Sequence, residues 1–257
     1  MRGAFTRICE RREGAVLVIT LDGEERRNAL GADASHAIDR AISAAEADVT
    51  VGAILLTGAG DRAFCAGMDM KEAAERGAGH GLVPERGFAG ITERRRSKPL
   101  IVAVNGAAVA GGFEIALAAD LVFAADHAVF ALAEVKRGLF AFAGGIQRLA
   151  RSVPRATALG LVLTGEAIDA RRAHALGLVT EVMPLAELMP RALGVAQTIA
   201  AFDRMTIRRT LALHDFAADA PIGESLRFGR AYGEETLGDA ASRAAIRAYA
   251  EGGRPKA

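Results

Sequence analysis

Glu114 is the only charged residue in a long apolar stretch, and its setting suits proton transfer. Residues 100–114 read Leu-Ile-Val-Ala-Val-Asn-Gly-Ala-Ala-Val-Ala-Gly-Gly-Phe-Glu. Leu100–Val104 is an apolar run of strand length rich in β-branched residues. A Gly111-Gly112 turn then opens a helix with Glu114 on its first turn. Amides at a helix start have no partner inside the helix, and glycines there let a ligand come close. Such amides can stabilise a developing oxyanion, and a carboxylate beside them can move a proton. No Lys, Arg or His lies between Val104 and Ala124. A buried carboxylate without a partner costs several kcal/mol or keeps its proton. The apolar neighbours on both sides argue against a solvent-facing Glu114.

A second segment repeats the pattern. The strand-like Val51–Thr57 leads into Gly58-Ala-Gly-Asp-Arg-Ala-Phe-Cys-Ala-Gly-Met-Asp69, then into the helix-like Met70–Glu75. Two such loops can supply two amides to one oxyanion. Glu134, in Phe130-Ala-Leu-Ala-Glu-Val-Lys-Arg-Gly138, is a second acid. The residues alone leave it open between an ion pair with Lys136 or Arg137 and a partner for Glu114. Two carboxylates around one water can hold their protons with different affinity.

The elements that must position these groups follow from periodicity. Ala15–Leu21 is expected to be a strand. Asn28–Ala47 is expected to be an amphipathic helix, with Leu30, Ala34, Ile38, Ile42 and Ala45 near one face. Residues 72–98 are rich in glycine and charge and are expected to be irregular. Strand 100–104, helix 112–119 and strand 121–125 follow. Short strand-like pieces run to Val135, helices dominate from Gly145, and the pattern is mainly helical from Leu185 to Pro255. Recurring strand–turn–helix units give an α/β protein, with a doubly wound sheet still open.

Composition bounds the function. The chain has 257 residues, 51% of them hydrophobic and 25% charged, and a net charge of +1, which suits a globular enzyme. No strong field points to nucleic acid or an anionic membrane, and the absence of Trp disfavours base stacking. The basic run Glu93-Arg-Arg-Arg-Ser-Lys98 is expected on a solvated helix face or at a phosphate. Met1–Glu10 lacks the apolar core of a secretory signal, and no apolar run approaches the ~18 residues of a membrane span. Cys9 and Cys65 make no disulfide framework, so a reducing cytoplasm is expected. The histidines at 36, 80, 127, 174 and 214 lack metal-ligand spacing, so no metal is expected. Gly58-x-Gly60-x-x-Ala63 imitates a dinucleotide fingerprint, but the next long strand ends in Asn105 rather than an acid. Cys65 has no evident histidine partner and is expected to pack a tight loop.

Taken together, these segments resemble the enoyl-CoA hydratase/isomerase (crotonase) family. The resemblance rests on Phe64-Cys-Ala-Gly-Met-Asp69, on Lys98-Pro-Leu-Ile-Val-Ala-Val-Asn-Gly106 through Gly111-Gly-Phe-Glu114, and on Asp120–Phe130. Gly144-Gly-Ile-Gln-Arg-Leu149, Leu163-Thr-Gly-Glu-Ala-Ile168, Ala175-Leu-Gly-Leu-Val179 and Arg27-Asn-Ala-Leu30 add to it, in family order over residues 15–185. It implies a superhelix of repeated ββα units over residues 1–190 and a C-terminal helical region, 191–257, used for trimer contacts. The usual acidic-glycine step is missing around Ser242-Arg243.

The resemblance implies hydration of a 2-enoyl-CoA. Met68 and Gly111 would offer N–H groups to the thioester oxygen, Glu114 would activate water and Glu134 would protonate C2. Coenzyme A would enter as part of the substrate, with no separate cofactor. It would lie along Cys65, Ala66, Gly67 and Asp69, beside Ala29, with Arg26 and Arg27 either reaching its phosphates or standing as ordinary exposed arginines. The family often has proline where this chain has Ala141, and a smaller residue at Met68. Phe140 and Phe142 are therefore expected either to shape an acyl pocket for more than a simple short chain or to sit in the core. The implied partners are an acyl-CoA thioester and further copies of the chain, as a homotrimer or dimer of trimers, with no nucleic acid and no membrane. An enoyl-CoA isomerase, which needs one carboxylate, and a catalytically idle binding protein remain alternatives.

Overall fold

The structure, a computed structural model, describes residues 5–251, except the side chains of Ala78, His80 and Ala241. Residues 252–255 of the expected terminal helix and the His80 side chain thus lie outside the described residues. The chain opens with a hairpin, β1 (Arg7–Glu13) and β2 (Val16–Asp22). β1 has no apolar periodicity because it is an exposed edge strand. Helix α1 (Ala32–Ala47) follows. It starts later than Asn28 because Arg27 and Asn28 take left-handed φ angles of 54° and 55°, which a helix cannot include.

Three strand pairs then build the body. These are β3 (Ala53–Gly58) with β4 (Ala63–Cys65), followed by α2 (Met70–Arg76); β7 (Leu100–Val104) with β8 (Ala107–Val109), followed by α3 (Gly111–Leu117); and β9 (Leu121–Ala125) with β10 (Val129–Ala131); a separate two-stranded excursion, β5 (Leu82–Val83) and β6 (Gly87–Phe88), lies between the first two pairs. After β10 come a 3-10 turn (Glu134–Arg137), α4 (Gly145–Ser152), α5 (Arg155–Thr164), β11 (Ile168–Asp169), α6 (Ala170–Ala175), β12 (Glu181–Met183), α7 (Leu185–Ala201), α8 (Arg204–Asp219), α9 (Ile222–Gly238) and α10 (Ala240–Ala250).

The first strand of each pair joins one sheet and the second joins another. The large sheet has the order β1-β2-β3-β7-β9-β12, parallel from β2 onward; the small one is β11-β10-β8-β4. This is a ββα superhelix, and a single doubly wound sheet is set aside. Every residue of β3 and β7 is buried, which is why both read as unbroken apolar runs. α7 covers this sheet with Leu188, Ala192, Ala196 and Ala200. Their spacing of four puts one stripe on the strands, and the small alanines bring the helix close. α7 runs without a break through residues 190 and 191.

Two asparagines fasten the strand-to-strand corners. Asn105 Oδ1 accepts from Gly58 N at 3.0 Å, and its Nδ2 donates to Gly60 O at 2.8 Å and Ala63 O at 3.1 Å. Asn28 Nδ2 donates to the same Ala63 O at 2.7 Å and to Ala59 O at 3.1 Å. The charged segment before β7 is tied down in the same manner. Arg94 and Arg86 pair with Asp39 on α1, and Arg96 bonds Asp120 and Ala118 O. Lys98 Nζ donates to the carbonyls of Ala45 and Asp48. The expectation of a helix face there is corrected: these residues lie outside any helix, and their cations, apart from exposed Arg95, bond within the protein. Among the described residues, no helix is long and apolar enough to cross a membrane.

Candidate active site

The chain positions its first carboxylate through a tight turn. Ala110, between β8 and α3, has φ 53° and ψ −126°, an uncommon conformation for a residue with a Cβ. Its N–H donates to Ala131 O, and its carbonyl accepts from Phe113 N and Glu114 N. A Cβ on Gly112 would overlap the Cys65 carbonyl, so glycine there lets α3 start directly on β4. A Cβ on Gly67 would lie 2.9 Å from Gly111 N. The 65–69 and 110–112 loops therefore meet back to back.

Residues 27–30 run beside 66–69. Ala66 N donates to Arg27 O, Leu30 N to Gly67 O, and Asp69 N to Leu30 O. This leaves the N–H groups of Met68 and Gly111 without a protein acceptor among the described residues. Both residues line a cavity of about 310 Å³. Glu114 and Glu134 line it too, as do Arg27, Ala29, Ala66, Phe140 and Phe142. Arg26, Cys65, Gly67 and Asp69 do not line it. Asp69 caps α2, accepting from Lys71 N and Glu72 N, and pairs with Arg26 at 2.7 Å. Buried Cys65 accepts a bond from Gly67 N, and burial pushes its thiol up to about 12, which suits packing rather than nucleophilic chemistry.

Glu114 is 4% exposed. Its Oε1 accepts from Gly145 N at 3.0 Å. Burial raises its pKa to about 7; the Gly145 amide opposes this, the Glu134 charge adds to it, and Arg148 opposes it. Glu134 begins the 3-10 turn. Burial raises its pKa as well, against the pull of its own amide and of Arg137. Its Oε2 is buried without a hydrogen-bond partner, and it pairs with neither Lys136 nor Arg137. The surface ion pair thus gives way to a carboxylate aimed at the cavity.

Phe140 and Phe142 are 65% and 44% exposed and meet edge to face at 5.9 Å, so they form a cavity wall rather than core. Leu82, Phe88, Arg137 and Leu139 also line the cavity, and the sequence reading did not single them out as site residues. Phe88 comes from β6, in the segment expected to be irregular, and no local pattern in the sequence marked it.

Stacked ββα turns with acid–base groups and free amides facing one cavity are the build of a crotonase-fold protein. The enoyl-CoA hydratase/isomerase family pattern matches residues 11–256. A carnitinyl-CoA dehydratase of Escherichia coli (strain K12) is 38% identical over 220 residues, 85% of this chain and 84% of that protein. An enoyl-CoA hydratase from Mycobacterium tuberculosis H37Rv superposes with a TM-score of 0.90 at 34% identity, covering 97% of each chain. A carnitinyl-CoA hydratase from Mycobacterium avium is 40% identical with a TM-score of 0.76, again over 97% of each chain. The chain belongs to the enoyl-CoA hydratase/isomerase family.

Proposed function

We propose that the protein is an enoyl-CoA hydratase that adds water syn across the C2=C3 bond of a 2-enoyl-CoA, giving a 3-hydroxyacyl-CoA. The observation that carries this reading is a pair of carboxyls, Glu114 and Glu134, both raised in pKa and lining one cavity with the free amides of Met68 and Gly111. The amides would hold the thioester oxygen as it gains charge, each worth about 2.7–4 kcal/mol. Glu114 would take a proton from the water whose oxygen bonds to C3, and Glu134 would deliver a proton to C2. Coenzyme A enters with the substrate, along Ala29, Ala66 and Arg27.

The working state is the pair carrying one proton in total, on either carboxyl, since two coupled acids titrate as a unit. With Glu114 near 7, kcat/KM falls as pH rises through about 7, where that proton is lost. It falls again in acid as a second proton binds. A single-carboxylate isomerase would lose activity only toward acid. The direct test is loss of the conjugated-thioester absorbance of 2-enoyl-CoA substrates with purified protein and no added metal. Isomerisation of 3-enoyl-CoA without water addition would reject the hydratase reading.

A second reading is favoured by the Phe140–Phe142 pair. Exposed aromatic faces attract quaternary ammonium groups, and two of the relatives are named for carnitinyl-CoA. Turnover of carnitinyl-CoA, set against unsubstituted 3-hydroxyacyl-CoA, decides between the acyl groups.

A further inference from the structure

Glu114 has no cation near it in sequence, yet the fold brings one. Arg148 lies on α4, the helix whose first amide, Gly145 N, bonds Glu114 Oε1. Its side chain folds back over the start of that helix. Gly144 has φ 97°, which favours glycine, and Arg148 Nη1 occupies the place a Cβ would take. The other end of the guanidinium, Nη2, donates to Thr92 O at 2.6 Å. Thr92 is buried, and its Oγ1 accepts from Phe88 N at 2.9 Å. The Phe88 ring lies against Gly111, within 2.5 Å of where a Cβ there would be. One guanidinium thus joins two walls of the cavity: the turn that holds Glu114 and the segment that backs the Gly111 amide.

We propose that Arg148 is a positioning residue for the Glu114/Glu134 pair, clamping the start of α4 to Thr92 and holding a fixed positive charge behind the Glu114 carboxyl. The proposal rests on the acid–base reading above. The charged groups acting on Glu114 are Glu134 from the 3-10 turn and Arg148 from α4. Those acting on Arg148 are Arg96 and Glu93 from the segment before β7, Glu114, and Asp215 from α8. Arg148 makes no ion pair within 4.0 Å among the described residues, so its charge is not cancelled by a direct contact. Removing that charge makes Glu114 harder to ionise.

The test titrates Glu114 without substrate, through the infrared carbonyl band of its protonated carboxyl, identified as the band that Glu114→Gln removes. In Arg148→Met the midpoint of that band should rise by about half a pH unit or more. The alkaline limb of kcat/KM should rise with it, while KM stays within about twofold. Arg148→Lys, which keeps the charge, should restore the wild-type midpoint. A folded Arg148→Met protein whose band and limb both match wild type overturns the proposal. Should the Met variant fail to fold, Arg148→Gln set against Arg148→Lys makes the same comparison, and equal midpoints overturn it. Because the band is read without turnover, a protein that hydrates no 2-enoyl-CoA rejects the hydratase reading and leaves Arg148 still decided by the band.

Discussion

At the scale of single residues, the site depends on two carboxyls that do not share the work independently. Glu114→Gln and Glu134→Gln should each lower kcat by about 10²–10⁴-fold, with KM changing little. The double variant should lose far less than the product of the two, because both groups serve one water. Steady-state kinetics on the three variants checks this, and full activity in Glu134→Gln would return that residue to a structural role. Gly111 carries a different constraint. A methyl there meets the Phe88 ring, so either the ring or the amide must move. Gly111→Ala should therefore lower kcat roughly tenfold or more, since displacement of an ångström at a reacting centre can cost about 10²-fold. Adding Phe88→Leu should recover part of the loss, and a double variant no better than the single would show that the ring is not what displaces the amide. Glu114 was legible in the sequence because its apolar neighbours and glycine turn are local. Arg148 was not, since its approach depends on how α4 folds back toward the first turn of α3.

At the scale of elements, the corners between the paired strands matter more than the strands. Asn105 is 3% exposed, and three backbone groups bond to its side chain. Asn105→Ala leaves Gly58 N unpaired in the interior and takes the partner from the carbonyl of exposed Gly60, a loss of about 2–3 kcal/mol. Thermal melting should fall by roughly 5–10 °C for a chain of this size. An unchanged melting temperature would mean that water replaces the amide. The Phe140–Phe142 wall belongs to this scale too, since it rides on the connection between the 3-10 turn and α4. Phe140→Ala or Phe142→Ala should shift preference among acyl chains by about ten- to a hundredfold, because apolar contacts discriminate by about 1–3 kcal/mol per methylene. A uniform fall in kcat/KM across chain lengths, together with lost thermal stability, would mark the rings as packing instead. The buried strands and α1 were readable from periodicity. β1 was not, because an exposed edge strand has no apolar face to read. The first residues of α1 were misread because pairing of residues 27–30 with the 66–69 loop overrides their helical pattern.

At the scale of the whole molecule, the C-terminal helices α8–α10 touch the spiral lightly, the Arg151–Asp219 ion pair at 2.9 Å among the contacts. α8 has no buried residue, and Ile222, Leu226, Leu237, Ile246 and Tyr249 are all more than half exposed. Exposed apolar surface of this kind favours association, and we propose that it packs between copies in a homotrimer or dimer of trimers. Ile222→Asp with Leu226→Asp should lower the mass measured by light scattering while the far-ultraviolet circular dichroism of the spiral persists. An unchanged assembly would move the interface elsewhere. The spiral's repeating order was legible through its motifs, whose spacing follows the ββα turns. The packing of α8–α10 was not, since each helix is amphipathic in ways that fit several partners.

The corner asparagine also bears on how the protein ages. Asn105 precedes Gly106, the pairing in which an asparagine side chain is most readily attacked by the following backbone nitrogen to form a succinimide and then aspartate. Here the amide is held on all sides, with its carbonyl bonded to Gly58 N and its nitrogen bonded to two carbonyls. The ring cannot close until those bonds open. Deamidation at Asn105, followed by peptide mapping over weeks, should therefore be negligible in the folded protein and rapid once it unfolds. Each event would place a carboxylate against the Gly60 and Ala63 carbonyls and so bar refolding. The residue that fastens the corner thereby limits the chain's chemical lifetime to the time it has spent open.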